Sequence, residues 1–405
     1  MISFLVKRGT KNSILRLGAG ILLCALLLCL LTPAVQAQEE GEAAARLYNP
    51  PFEVAAQAAY MVNEDSGVVV YEKNADQPLV QASLVKMMTC LVAMDNVTDL
   101  DGETVTADTW IFNELYGKNA SHADIWNGET LTVRELLYAM IMPSANEAAL
   151  MLADYVADGH MPNFLYMMNG KAKTLGCTGT YFADPNGLSE ENVTTARDMY
   201  LITRAFMQNP VLREIAATNS YEMAAHNHPA PYLIATTNRL LVPTDAYYRK
   251  YASIAGAVKG GKTGSLGEWQ NFASMAELNG ATYYCVVLNS PNEADTIAAE
   301  NPDARTFRPA LVETGELYTW AFYNLSIRPA LDIEKPIHEI QVKYSTQTNV
   351  LKSFPAYDWR TVLPNELAHN MITKDFVCPE SLGSPIRKGD VVCRLTLVTV
   401  GTSLG

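Results

Sequence analysis

Three short clusters follow one another along the chain: Ser83-Leu84-Val85-Lys86, Ser144-Ala145-Asn146 and Lys262-Thr263-Gly264. The first sets a hydroxyl and an amine three residues apart, which on a helix puts both on one face. A serine hydroxyl becomes a competent nucleophile when a base takes its proton, and a desolvated lysine near another cation is neutral enough to do so. The second cluster adds a hydroxyl that can relay a proton and a carboxamide that can bond a substrate backbone. The third adds a cation and a hydroxyl on a strand after Gly260-Gly261. Lys262 and Thr263 could hold a terminal carboxylate through charge-assisted hydrogen bonds, while the strand edge pairs with an extended peptide. Together these groups are equipment for acyl transfer to a serine.

Each cluster alone has a plainer reading. A Ser-x-x-Lys arises easily by chance as a helix cap and a solvated lysine. Ser144 with Glu147 three residues on fits a capping box, and Ser-x-Asn recurs at Ser290-Pro291-Asn292. The glycines before Lys262 fit a turn with an exposed lysine. His226-Asn227-His228 lies in a proline-rich loop with no third ligand at useful spacing, so no metal and no cofactor is expected.

The elements that must position these residues follow from pattern. Ala56–Val62 and Val68–Glu72 are apolar and β-prone around a turn-rich Asn63-Glu64-Asp65-Ser66-Gly67, a hairpin. Ser83–Met94 reads as a helix buried on most faces. Helices are expected over 131–142, stopped by Pro143, and from Glu147 to about Val156. Two more cover Phe164–Leu175 and Thr195–Met207, and Asp184-Pro185-Asn186-Gly187 is a turn. Strands follow over roughly 254–264, 269–278 and 281–289, the last two joined by Asn279-Gly280, a strong hairpin signal. A helix returns over Pro309–Tyr323. Strands at both ends of this stretch and helices between them imply an α+β domain, an antiparallel sheet packed with helices. Beyond Arg328-Pro329, short strands at Glu339–Tyr344, Trp359–Leu363 and Val391–Val400 predict a small all-β domain.

The chain has 405 residues, 49% of them hydrophobic, so a sizeable core is available. Lys7, Arg8, Lys11 and Arg16 precede an apolar run from Leu17 to Leu31, then Pro33 and Val35-Gln36-Ala37. That is a secretory signal with cleavage near Ala37, and the run is short for an uncleaved span. The expected organisation is a signal over 1–37, a leader over 38–52, a catalytic domain over 53–328 and a β domain over 329–405. Losing the four basic residues of the signal takes the net charge from −13 to −17. So acidic a protein has no general affinity for nucleic acid. Five cysteines remain, an odd and widely spaced set without zinc-ligand spacing. Cys378 and Cys393 either pair across a hairpin or remain free thiols.

The joint pattern resembles the S-x-x-K, S-x-N, K-T-G set of the low-molecular-mass penicillin-binding proteins, the serine-type D-alanyl-D-alanine carboxypeptidases. The resemblance covers roughly residues 55–400. It includes Gly67-Val68-Val69-Val70-Tyr71-Glu72-Lys73-Asn74-Ala75, Met88-Thr89 and Ala145-Asn146-Glu147-Ala148-Ala149. It continues through Met168-Asn169-Gly170-Lys171-Ala172, Asp184-Pro185-Asn186-Gly187-Leu188 and Thr195-Ala196-Arg197-Asp198. It implies the penicillin-binding/β-lactamase-like transpeptidase fold with a small C-terminal all-β domain. It implies Ser83 as nucleophile, Lys86 as base with its pKa kept low by Lys262, and Ser144 as proton relay. Asn146, Lys262, Thr263, Gly264 and Ser265 would bind substrate, with the N–H groups of Ser83 and Ser265 as oxyanion hole. The implied partners are a peptidoglycan stem peptide ending in D-Ala-D-Ala and β-lactam antibiotics, at an exported, extracytoplasmic location. Peripheral association with the outer face of the cytoplasmic membrane fits that location.

Two stretches depart from the family pattern. Gln81-Ala82-Ser83 stands where Pro-Ala-Ser is usual, and Ser265-Leu266-Gly267-Glu268-Trp269 replaces a Thr followed by Ala-Gly. The second puts the acceptor-side pocket in question. The sequence stops at Gly405 in a strand pattern, without the C-terminal amphipathic helix many relatives lay on the membrane; it is either lacking or truncated away. Two other functions fit the same scaffold. A class A-like β-lactamase would need a Glu-x-x-Leu-Asn between the second and third clusters, and none occurs between Asn146 and Lys262. A non-catalytic wall-binding or sensor protein would not need every acylation residue, and all are present.

Overall fold

The computed structural model describes residues 48–403 apart from 255, 292–308, 333, 355–358, 368–371, 388–389, 391–392 and 400–401. The expected signal peptide and most of the leader lie outside the described residues. We label the elements used below as follows. Strands β1 (Ala58–Asn63) and β2 (Val68–Lys73) precede helix α1 (Val85–Asn96). Helices α2 (Val133–Ile141), α3 (Asn146–Val156), α4 (Met161–Leu175) and α5 (Ala196–Gln208) come next, then a hairpin of β3 (Ser220–Met223) and β4 (Tyr232–Ala235). β5 (Val258–Leu266), β6 (Trp269–Leu278) and β7 (Ala281–Pro291) lead to α6 (Pro309–Asn324). The remainder is β8 (Leu325–Pro329), β9 (His338–Lys343), β10 (Val350–Ser353), β11 (Arg360–Pro364), β12 (Ile372–Val377), β13 (Ser381–Gly383) and β14 (Arg394–Thr399).

The central sheet runs β2-β1-β7-β6-β5, antiparallel throughout, so both ends of the catalytic stretch build it. Side chains on a strand alternate between faces, and here both faces are covered. Ala58, Tyr60 and Val62 of β1 enter one core, while Ala59 and Met61 enter the other. β7 splits the same way, with Tyr284, Val286 and Leu288 on one side and Tyr283, Cys285 and Val287 on the other. The first core is filled by α1 to α5, the second mainly by α6. Asn279 and Gly280 take φ of +53° and +78°, the mirror-image turn that suits a two-residue hairpin.

α1 is buried on every side from Val85 to Ala93, as its unbroken apolar run demands. It begins two residues later than the pattern predicts, because Ala82–Leu84 winds as a tighter 3-10 turn. The capping box expected at Ser144 and Glu147 does not form. Ala145 is the N-cap of α3 with no side-chain cap, and the Glu147 carboxylate instead accepts from the Ala123 N–H at 2.6 Å. A capping box stands one helix earlier, between Thr132 and Glu135. Sequence periodicity missed the short helices Thr109–Leu115 and Pro210–Ala217 and the β3–β4 hairpin.

After α6 the chain forms small sheets: β8 with β11, β10-β9-β13, and β12 with β14 and a short third strand at Thr402–Ser403. Their own buried cluster is Ala330, Leu331, Leu363, Leu367 and Ile372. Cys378 and Cys393 are disulfide-bonded, while Cys90, Cys177 and Cys285 are free and buried.

Candidate active site

The nucleophile candidate is held by contacts too tight for a side chain. Ser83 sits in the 3-10 turn, preceded by Ala82 at φ +49°. Gly187, at φ +86°, lies so close that a Cβ there would fall 2.2 Å from the Ala82 carbonyl oxygen and 2.9 Å from the Ser83 nitrogen. Gly264 approaches from the other side, where a Cβ would lie 3.0 Å from the Gln81 oxygen and 3.2 Å from the Ser83 nitrogen. Only glycine lets two backbones come this near. Gln81, in the place of the usual proline, donates its side-chain amide to the Tyr181 and Val193 carbonyls, at 3.3 and 3.1 Å.

Lys86, one turn on in α1, is fully buried. Its Nζ donates to Ser83 Oγ at 2.9 Å, to Asn146 Oδ1 at 3.0 Å and to the Asn186 carbonyl. Burial lowers its pKa to about 7, against the opposing pull of Asp184, Glu147 and Cys90. Desolvation is thus the main cause of the lowering, where the family resemblance had pointed to Lys262. Burial also raises the Glu147 carboxyl above its ordinary range.

The second and third clusters converge on the same place. Lys262, 1% exposed on β5, donates from Nζ to Ser144 Oγ at 2.9 Å and to the Thr263 carbonyl at 2.7 Å. It is no exposed turn residue. Ser144 holds φ +68° in the loop between α2 and α3, the left-handed region that non-glycine residues seldom occupy. Asn146 opens α3 and fixes its amide by donating both its backbone N–H and its Nδ2 to the Ser121 carbonyl, at 2.9 and 2.8 Å. Its Oδ1 is thereby turned to Lys86.

β5 is the last strand of the central sheet, the position at which an extended chain can add as a further strand. Gly261 makes its placement possible, because a Cβ there would lie 2.5 Å from the Ala273 oxygen on β6. Thr263 Oγ1 is 2.6 Å from Thr237 Oγ1, and the Thr237 N–H donates to the Met142 carbonyl at 3.0 Å. Ser265 is exposed beside the turn that joins β5 to β6.

Sequence reasoning did not assign roles to Asp184, Asn186, Ser121 or Thr237. Asn186 and Ser121 act through carbonyl oxygens, which no side-chain type announces. The turn around Asp184 was visible, but not its purpose. Asp184 accepts from the N–H groups of Asn186, Gly187 and Ser189 and from Asn192 Nδ2, at 2.5 to 3.1 Å. That knot holds the loop whose carbonyl receives Lys86. The Thr89 hydroxyl, donating to the Pro185 carbonyl at 2.6 Å, ties the same loop to α1. His226 pairs with Glu135 at 2.8 Å and His228 stands 3.5 Å from Glu129; among the described residues neither belongs to a group of three possible metal ligands.

The arrangement joins a serine, two buried lysines, a second serine and a carboxamide around one strand edge. It matches the Peptidase S11 model, D-alanyl-D-alanine carboxypeptidase, over residues 43–292. The chain is 24% identical over 388 residues to the D-alanyl-D-alanine carboxypeptidase DacF of Bacillus subtilis, covering 95% of this chain and 90% of that one. It is 28% identical to DacC of Escherichia coli, a protein of the same description, over 87% of this chain and 82% of that one. Among solved structures, the fold resembles penicillin binding protein 5 of Haemophilus influenzae with a TM-score of 0.62 and 23% identity, over 88% of this chain and 96% of that one. The DD-transpeptidase of Streptomyces K15 aligns with a TM-score of 0.57 and 26% identity, over 67% of this chain and 98% of that one. The model match spans more than half of the sequence and contains all three clusters, so the chain belongs to the Peptidase S11 family of serine D-alanyl-D-alanine carboxypeptidases.

Proposed function

We propose that this serine carboxypeptidase removes the terminal D-alanine from peptidoglycan stem pentapeptides through an acyl-enzyme on Ser83. What supports the reading above all is the pair formed by Ser83 Oγ and a fully buried Lys86 Nζ, 2.9 Å apart. With a pKa near 7, Lys86 is neutral in a large share of molecules at neutral pH. Ser83 Oγ attacks the carbonyl between the two D-alanines as its proton passes to Lys86. The oxyanion is received by the N–H groups of Ser83 and Ser265. The C–N bond breaks as Ser144, hydrogen-bonded to Lys262, passes a proton to the departing amine. Lys262 and Thr263 hold the substrate carboxylate, Asn146 and the β5 edge hold its backbone, and Gly264 keeps that edge against the nucleophile. Water then hydrolyses the ester. A β-lactam acylates Ser83 in the same way and leaves slowly.

In this reading residues 53–328 form the catalytic domain and 329–405 an appended β domain. The protein is exported by its N-terminal signal and works outside the cytoplasmic membrane, with peripheral association at its outer face. No helix among the described residues is long and apolar enough to cross a membrane. The test is the mass of the intact protein after penicillin, in wild type and in Ser83→Ala, together with D-alanine release from a pentapeptide. One adduct on the wild type, none on the variant and free D-alanine support the proposal. An adduct on the variant sinks Ser83 as the nucleophile, and fast release of hydrolysed penicillin without D-alanine favours a β-lactamase.

A further inference from the structure

The small sheets after residue 325 hold a second constellation, on elements separate from the acylation site. β12 and β14 pair antiparallel with Val377 opposite Arg394, so the next positions outward, Cys378 and Cys393, face each other with Cα atoms 4.6 Å apart. His338, the first residue of β9, stacks its ring on Phe376 at 4.2 Å between centroids. Phe376 lies two residues before Cys378 and so on the same face of β12. The histidine nitrogen and the two sulfurs lie within 4.8 Å of one another, all half-buried, and form the one such group of three ligand-bearing residues among the described residues. Tetrahedral zinc needs its sulfurs and nitrogens about 3.5–4 Å apart, given bond lengths near 2.3 and 2.0 Å. Breaking the disulfide lets the sulfurs separate toward that spacing.

The surroundings give the site a purpose. Among the described residues, the buried cluster of this region is Ala330, Leu331, Leu363, Leu367 and Ile372, with Ile337, Trp359 and Leu395 packed against it. A core so small is normally supplemented by a disulfide or a structural metal. Here one set of residues can supply either. We infer that His338, Cys378 and Cys393 form an alternative staple, a disulfide when oxidised and a three-ligand site for zinc when reduced. Two molecules of a small thiol supply two electrons and two protons to the disulfide and leave as their own disulfide. Cys378 and Cys393 become thiols. Zn2+ then displaces both thiol protons to solvent, binds the two thiolates and the His338 nitrogen, and keeps one position for water. Thiolate and imidazole donors select zinc over magnesium or calcium. Spacing did not reveal the set, because strand register assembles it rather than a local motif.

The experiment uses the full chain, reduced with a phosphine, desalted and titrated with Co2+ and then Zn2+. One equivalent of cobalt should bind with thiolate-to-cobalt charge-transfer absorption, and zinc should bleach it. His338→Ala should weaken zinc binding at least ~10-fold, since losing even an outer-shell partner costs roughly 10–100-fold. Cys378→Ser with Cys393→Ser should abolish the band although Cys90, Cys177 and Cys285 remain. A reduced wild type without the band overturns the inference. So does a His338→Ala variant that binds as tightly, or a band that survives in the double serine variant. Limited proteolysis covers a region that loosens on reduction: zinc should restore resistance after residue 325, and cleavage that zinc does not slow also overturns it. Penicillin labelling of Ser83 reports on the catalytic body throughout, so its failure would bear on the acylation reading and not on zinc.

Discussion

The body around the central sheet and the strands after residue 325 handle polar groups in opposite ways. The body packs apolar side chains on both faces of its sheet and still buries Lys86, Lys262, Asn146 and Glu147 almost completely. Each is held by hydrogen bonds, and exclusion of water moves Lys86 down to about 7. The later strands bury little and carry their charges outside, as in the Lys352–Glu339 and Lys335–Asp332 pairs. Exposed pairs of this kind contribute little. Catalytic chemistry therefore needs the thick core, while the thin region needs a staple.

Four perturbations would break or sharpen this contrast. Lys86→Ala should cost the most, slowing penicillin acylation by ~10^3-fold or more, the upper range for loss of a positioned base. In the wild type the acylation rate should rise with pH through about 7, because a lysine acting as base can accept the serine proton only after losing its own. A rate independent of pH from 5 to 9 would remove Lys86 from the base role. Gly187→Ala comes next. Its Cβ meets the Ala82 oxygen at 2.2 Å at a φ of +86°, so the nucleophile turn must shift. Displacement on the order of 1 Å costs ~10^2-fold, measurable as the acylation constant. Asp184→Asn removes one acceptor and a charge that raises the Lys86 pKa. The acid limb should then move below 7, with a rate loss of about tenfold or less. Leu363→Ala should matter least to chemistry. It should weaken the later strands by about 2–4 kcal/mol, seen as faster proteolysis there, with acylation changed less than ~2-fold. A large acylation defect would mean that the two regions are coupled.

Much of the site was legible because its chemistry is written in side-chain types. Ser83, Lys86, Ser144, Asn146 and Lys262 stand where the clusters suggested, and Asn279-Gly280 gives the hairpin that registers β6 with β7. What stayed hidden acts through backbone or tertiary contact. The carbonyls of Asn186 and Ser121 are indistinguishable in sequence from any others. Glu147 reads as a cap by spacing, yet a longer-range bond to Ala123 competes successfully for its carboxylate. Thr237 meets Thr263, 26 positions on, only once the chain after β4 is tied by the Thr237 N–H to the Met142 carbonyl at the end of α2.

The seat of Gly187 under Ala82 has a temporal consequence. A turn at residue 83 is shaped by a loop translated about a hundred residues later and by a strand later still, so no early fragment can own a reactive serine. Covalent capture by an antibiotic would thus count finished molecules, and it could time the maturation of this protein after its synthesis.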